Sequence, residues 1–333
     1  MNELQEKKQS PESPPDIPQV GNGDHNVVVA DDAVFGVIEE NGPNFRNLGW
    51  IGTSVLMMKT QLGLGVLSIP TAFDTLGLVP GVLCMVAIAI INTWCSNMVG
   101  EFKLNHREVY GIDDAAGLMF GRVGREILGA GFVLYLVFCG ASGILSISIA
   151  LNAVSTHGAC TAVFVAVAAV SVFCLASIRT LGRITFVAWG GLACILISVL
   201  IVTIGVGVED RPSSAPPGPW ASDYRLVNRP RFSDGISANC TFIFAYAGVP
   251  FFFPIIAEMR EPRHYTRALV VCQGTVTVTY IVIGVVVYYY CGSYVASPAL
   301  GSAGKIIKQV SYGIAIPGLL ASATISTHVR QEL

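Results

Sequence analysis

Apolar runs of about 18 residues or more recur along this chain, each long enough to cross a bilayer as a helix. We read eight, near residues 48–76, 80–101, 126–152, 160–178, 184–208, 236–260, 265–292 and 311–329. A soluble fold has no interior for so many. Of the 333 residues, 53% are hydrophobic and 13% charged, where soluble domains run nearer to about a quarter charged. The expectation is an all-α polytopic protein whose surroundings are the lipid bilayer. A net charge of −2 argues against nucleic acid as a partner. The nine cysteines fall almost wholly inside the apolar runs and form no CxxC pair, so they read as packing residues.

Lysine and arginine set the expected orientation. With the N-terminus in the cytoplasm, Arg46, Lys103, Arg107, Arg122, Arg125, Arg179 and Arg183 fall inside, and the first two outer loops carry no basic residue. Four arginines between residues 209 and 235 are the counter-signal, and the early loops decide. Residues 1–45 are polar and rich in Pro, Glu and Asp, and read as a disordered cytoplasmic tail. The segment RPSSAPPGPW makes 209–235 an irregular external loop between two membrane parts, 46–208 and 236–333.

The first run is interrupted. MMKTQLGLGVLSIPTAF carries Lys59, Gly63, Gly65 and Pro70 inside a greasy segment. Each glycine lowers helix propensity by about 1 kcal/mol relative to alanine, and proline removes a helical amide hydrogen. Irregular backbone at membrane depth survives only against protein or a water-filled cavity. A helix unwound around Gly63, Leu64 and Gly65 follows, its second half starting near Val66. The sixth run, CTFIFAYAGVPFFFPIIAEM, repeats the pattern at Gly248 and Pro250. Interrupted spans one and six are what an inverted five-plus-five repeat sets around a midplane substrate site.

MMKTQLGLGVLSIPTAFDTLG and FAYAGVPFFFPIIAEMREP together resemble the amino acid/auxin permease family, and within it the fungal neutral amino acid permeases of the methyltryptophan-resistance type. The resemblance runs from about residue 45 onward. It implies a LeuT-like fold of eleven spans and coupled uptake of neutral amino acids, with the proton as coupling ion and no cofactor. Eight of those spans are in this sequence, which ends at THVRQEL, so the resemblance implies C-terminal truncation and an incomplete second repeat.

Unwound amides at Gly63, Leu64 and Gly65 suit a substrate carboxylate, because unpaired donors meet the positive end of a helix. Carbonyls freed between Phe244 and Gly248 suit the ammonium, and Tyr246 is a candidate wall for the side-chain pocket. Lys59, a charge inside a span, either takes the place of a coupling sodium or snorkels to the interface. Glu258 either accepts the coupled proton, or pairs with a loop arginine to gate the inner side, or forms an interface salt bridge beside Arg260 and Arg263. Thr324, Ser326 and Thr327 are candidates for a cation site on the eighth span, or ordinary interhelical hydrogen bonders. Ser142, Ser146 and Ala150 read as a packing stripe, and Tyr288, Tyr289 and Tyr290 as an interfacial belt. No nucleophile–base pair or phosphate loop points to an enzyme. The leading reading is a proton-coupled transporter at the plasma membrane rather than the vacuole. The competing reading is an amino acid sensor or incomplete permease that binds without cycling.

Overall fold

The computed structural model describes residues 30–32, 36–38, 48–63, 65–106, 108–156, 158–177, 184–209, 211–216, 218 and 220–328. The chain divides into two units, Met1–Pro43 and Asn44–Leu333. In the first, β1 (Ala30–Asp32) pairs antiparallel with β2 (Gly36–Ile38), Asp31 opposite Val37. The rest of the segment read from the sequence as a tail lies outside the described residues.

The second unit is helical among its described residues. Its elements are α1 (Trp50–Gln61), α2 (Ile69–Leu76), α3 (Leu78–Asn105), α4 (Ile112–Ser155) and α5 (Thr161–Ala176). They continue with α6 (Ile184–Val208), α7 (Phe232–Ala245), α8 (Phe252–Ala257), α9 (Tyr265–Cys291) and α10 (Lys305–His328). Among the described residues, six segments are long and apolar enough to cross a membrane, one of them the joined α7–α8, and the bent pair α1–α2 makes a seventh. The fourth expected span is the 16-residue α5. At 1.5 Å per residue it reaches about 24 Å, short of a hydrocarbon core of about 30 Å.

The first span breaks where its glycines predict. α1 ends at Gln61, a 3-10 turn follows at Gly65–Ser68, and α2 leaves at 47° to α1. Pro70 falls in the first turn of α2, where a missing amide hydrogen costs nothing. The sixth span breaks similarly: α7 ends at Ala245, and the 3-10 turn Val249–Phe251, with Pro250, leads into α8.

Burial sorts the helices. Residues 53–59 of α1 are buried on every side, which makes it a central helix. Leu83, Ile90, Trp94, Phe138, Phe173 and Ile204 are each more than half exposed, an apolar outer surface that lipid covers and water would not tolerate. α10 packs chiefly on α6 and α4, α1 on α9 and α6, and α2 on α7 and α9. The α6–α10 crossing is close because Gly191 and Gly318 meet there: a Cβ on Gly318 would stand 2.7 Å from the Gly191 carbonyl oxygen.

Two backbone fastenings frame the bundle. At one end, Leu48 ahead of α1 donates to Glu258 O at 3.3 Å and accepts from the Arg260 amide at 3.0 Å. At the other, the loop after α6 is irregular, as expected, yet stitched down as a strap. Leu78 and Val79 amides donate to Arg225 and Leu226 carbonyls at 3.0 and 2.9 Å. Asn228 Nδ2 donates to Asp74 O at 2.6 Å, and the Ser222 hydroxyl to Tyr289 O at 2.6 Å. Asp223 accepts from the Ser293 amide at 2.8 Å and from its hydroxyl at 2.5 Å. Burial alone would raise the Asp223 carboxyl, and the Ser293 bonds outweigh it, holding the group below its ordinary value. Tyr288 is buried and its hydroxyl accepts from the Arg225 amide at 3.0 Å, so it belongs to this strap and not to an interfacial belt. Tyr289 and Tyr290 remain exposed.

Candidate functional site

The two breaks face one another. A Cβ on Gly65 would stand 2.8 Å from Ala245 Cα, and one on Gly248 would stand 2.7 Å from Thr60 Oγ1 and 2.8 Å from Gln61 Cγ. Glycine is required at both places by this approach, a packing role as much as a binding one. Between the breaks, α4 and α10 lies a partly open cavity of about 70 Å³. That is tighter than the usual small-molecule site of roughly 300–1,000 Å³. The first span contributes Lys59, Thr60, Gln61, Gly63 and Gly65 to its wall, and Leu64 lies outside the described residues. Phe244, Ala247 and Phe251 come from the sixth span. α4 adds Tyr135 and Ser142, so Ser142 faces the cavity and not only a packing partner.

Tyrosine hydroxyls occupy the freed carbonyls. Tyr280 on α9, fully buried, lies 2.9 Å from Gln61 O and 2.8 Å from Ala245 O, sharing one proton between both broken spans. Tyr135 donates to the Ala247 carbonyl. Within the turn, Ala247 N bonds Phe244 O at 3.1 Å and Gly248 N bonds Tyr246 O at 2.8 Å. The sixth-span carbonyls expected to receive an ammonium are therefore already engaged. Tyr246 is buried away from the cavity wall, its hydroxyl 2.9 Å from Thr277 Oγ1 and its ring edge-on to Tyr280. Neither it nor Gly248 lines the cavity; Phe244 does.

Lys59 does not snorkel. It is 2% exposed, and its Nζ donates to Gly318 O at 3.0 Å and to the Ser322 hydroxyl, both on α10. Its stem runs past Gly191, where a Cβ would stand 3.0 Å from Lys59 Cε, and Cys194 of α6 is the nearby titratable group. The ammonium thus spans from α1 to α10 through a slot made by two glycines.

On α10 the polar residues at the cavity are Ser322 and Ser326. Thr324 and Thr327 bond back to their own helix, to Leu320 O at 2.7 Å and Ala323 O at 2.9 Å, and stand outside the wall. Helical phase explains this: residues 322 and 326 differ by about 40° around the axis, whereas 324 lies roughly 200° from 322. Glu258 is half-buried at the end of α8, beside the Leu48 fastening and outside the cavity wall.

Fold and cavity define the class: a polytopic helical membrane protein with a small cavity, lined by apolar and polar groups, at interrupted helices. The chain matches the family described as transmembrane amino acid transporter protein over residues 46–330, and it belongs to that family. This is a family of membrane transporters and not of enzymes. A protein of Gibberella moniliformis described as a transmembrane transporter is 36% identical over 297 residues, covering 88% of this chain and 62% of the relative. The N amino acid transport system protein of Neurospora crassa is 33% identical over 303 residues, covering 87% and 62%. Vacuolar amino acid transporter 3 of Schizosaccharomyces pombe is 24% identical over 272 residues, covering 79% and 40%. The chain therefore spans less than two thirds of the length of these relatives.

Proposed function

We propose that the protein acts in proton-coupled symport of neutral amino acids, by alternating access around the cavity between spans one and six. The observation that carries this reading is the Lys59 ammonium, buried between α1 and α10 with a carbonyl and a hydroxyl for partners. A fixed cation there occupies ground that a coupling sodium would otherwise need, which leaves the proton as driver. Lys59 holds that proton in one orientation of the carrier and releases it when helix rocking opens the slot to the cytoplasm. The apolar wall of Phe244, Ala247, Phe251 and Ile325 favours an uncharged substrate side chain. An inverted repeat with an N-terminus in the cytoplasm and residence at the plasma membrane complete the reading.

The test is uptake of labelled alanine, leucine, phenylalanine and glutamine by the 333-residue chain in liposomes, with and without an inward proton gradient. Gradient-driven accumulation supports symport. Sodium-driven uptake would overturn the coupling assignment. Binding without uptake by a folded chain would favour the non-transporting sensor.

A further inference from the structure

We infer that the side-chain amide of Gln61 is the group that holds the amino acid backbone of the substrate, its Oε1 accepting from the α-ammonium and its Nε2 donating to the α-carboxylate. This deepens the amino acid reading above and rests on it.

Gln61 is 3% exposed and lines the cavity, and neither its amide nitrogen nor its amide oxygen has a hydrogen-bond partner. An orphaned buried amide is costly, so it calls for a ligand that supplies both a donor and an acceptor. Four hydroxyls of the cavity wall already donate elsewhere. Thr60 donates to Met57 O at 2.8 Å, Ser326 to Ser322 O at 3.0 Å, Ser322 to Gly318 O at 3.2 Å, and Tyr135 to Ala247 O. With the sixth-span carbonyls engaged as well, Gln61 is, among the described residues of the wall, the buried amide whose two polar atoms are both unpaired.

Its stem is fixed while its head is not. The Gln61 carbonyl accepts from Tyr280 at 2.9 Å and from the Gly63 amide at 2.8 Å, and Gly248 lies flat against the side chain at Cγ. A held stem with an unpaired head is a preorganised binding group, which loses little freedom when a ligand arrives. Its position favours a zwitterion over a neutral amide. Gln61 closes α1, whose C-terminal end is the negative pole, and the 3-10 turn from Gly65 begins the next helical piece at its positive pole. An amino acid carries its own two charges on one carbon, in the same donor-and-acceptor pairing that the amide presents.

The experiment measures binding of leucine, leucinamide and N-acetylleucine to the purified chain, with alanine, phenylalanine and glutamine as a side-chain panel. Gln61→Met keeps the length and removes both polar atoms; Gln61→Glu keeps an acceptor and removes the donor. Helicity and monodispersity are checked for each, and the Glu variant serves if the Met variant fails to fold. The unaltered chain is expected to prefer leucine over both derivatives, and Gln61→Met to weaken leucine roughly tenfold or more while shrinking that preference. Gln61→Glu is expected to keep the penalty for N-acetylation and lose the penalty for leucinamide. The assignment is overturned if either folded variant keeps both penalties at their original size, or if only the ranking of side chains moves. Failure of the unaltered chain to bind any of the panel would sink the amino acid reading itself, and is seen before any variant is made.

Discussion

Gly65 and Ala245 touch backbone to backbone, so close that a Cβ on Gly65 would stand 2.8 Å from Ala245 Cα and 3.2 Å from its Cβ. The two interrupted helices are locked together at the wall of the cavity itself. Gly65→Ala is expected to push them apart, destabilising the protein by about 1–3 kcal/mol and abolishing substrate binding while helix content is kept. Circular dichroism alongside a binding assay checks this. Unchanged affinity would mean the contact does not shape the site.

Lys59→Asn removes the buried ammonium and leaves a polar group near Gly318 and Ser322. Uptake by this variant is expected to lose its response to the proton gradient and become flat from mildly acid to neutral pH. Lys59→Arg is expected to lose uptake altogether, because the broad planar guanidinium does not fit the slot beside Gly191. A proton-driven Lys59→Asn variant would remove this side chain from coupling.

Tyr280→Phe deletes one hydroxyl, taking the Tyr280 donor from Ala245 O and leaving Gln61 O with the Gly63 amide. Stability should fall by about 1–3 kcal/mol, read as a lowered unfolding midpoint in detergent. Tyr246→Phe frees only the Thr277 hydroxyl and is expected to cost less. Equal midpoints for the two variants would contradict the bridging role of Tyr280.

The strap gives a prediction in pH. Asp223 is held below its ordinary value of 3.8, so its folded form favours the carboxylate. Its contribution is fully present above that value and is lost as pH falls through the lowered one. Trp220, edge-on to Tyr294 at 5.2 Å, reports on the strap. Its fluorescence is expected to stay constant from neutral pH down to the carboxylate range and change only below it, with Trp220→Phe as the blank. Asp223→Asn should show the altered signal already at neutral pH.

What could be read from residues alone follows a physical divide. The breaks were legible because glycine and proline carry backbone preferences with them wherever they stand: Gly63, Gly65 and Gly248 announce an interruption without any knowledge of neighbours. Tyr135 and Tyr280 were not, since a tyrosine in an apolar run looks like any packing aromatic until its hydroxyl meets a carbonyl 112 or 219 residues away. The slot for Lys59 was hidden for the same reason, being made by Gly191 and Gly318 from two other helices. On α10, Ser326, one of the three hydroxyls named from the sequence, lies at the wall with Ser322, whereas Thr324 and Thr327 bond back to their own helix. Tyr288 parted from its two neighbours because it turns toward the strap while they stay exposed.

The joint between Leu48 and the Glu258–Arg260 segment is made wholly of main chain. Side chains at these positions can drift over generations without loosening it, as every amino acid but one brings the same amide hydrogen. Only proline, at 48 or 260, would cut a strand of this tether. The chain leading into α1 is thus moored to the end of the sixth span by a fixture that substitution scans would pass over, and a proline scan would find.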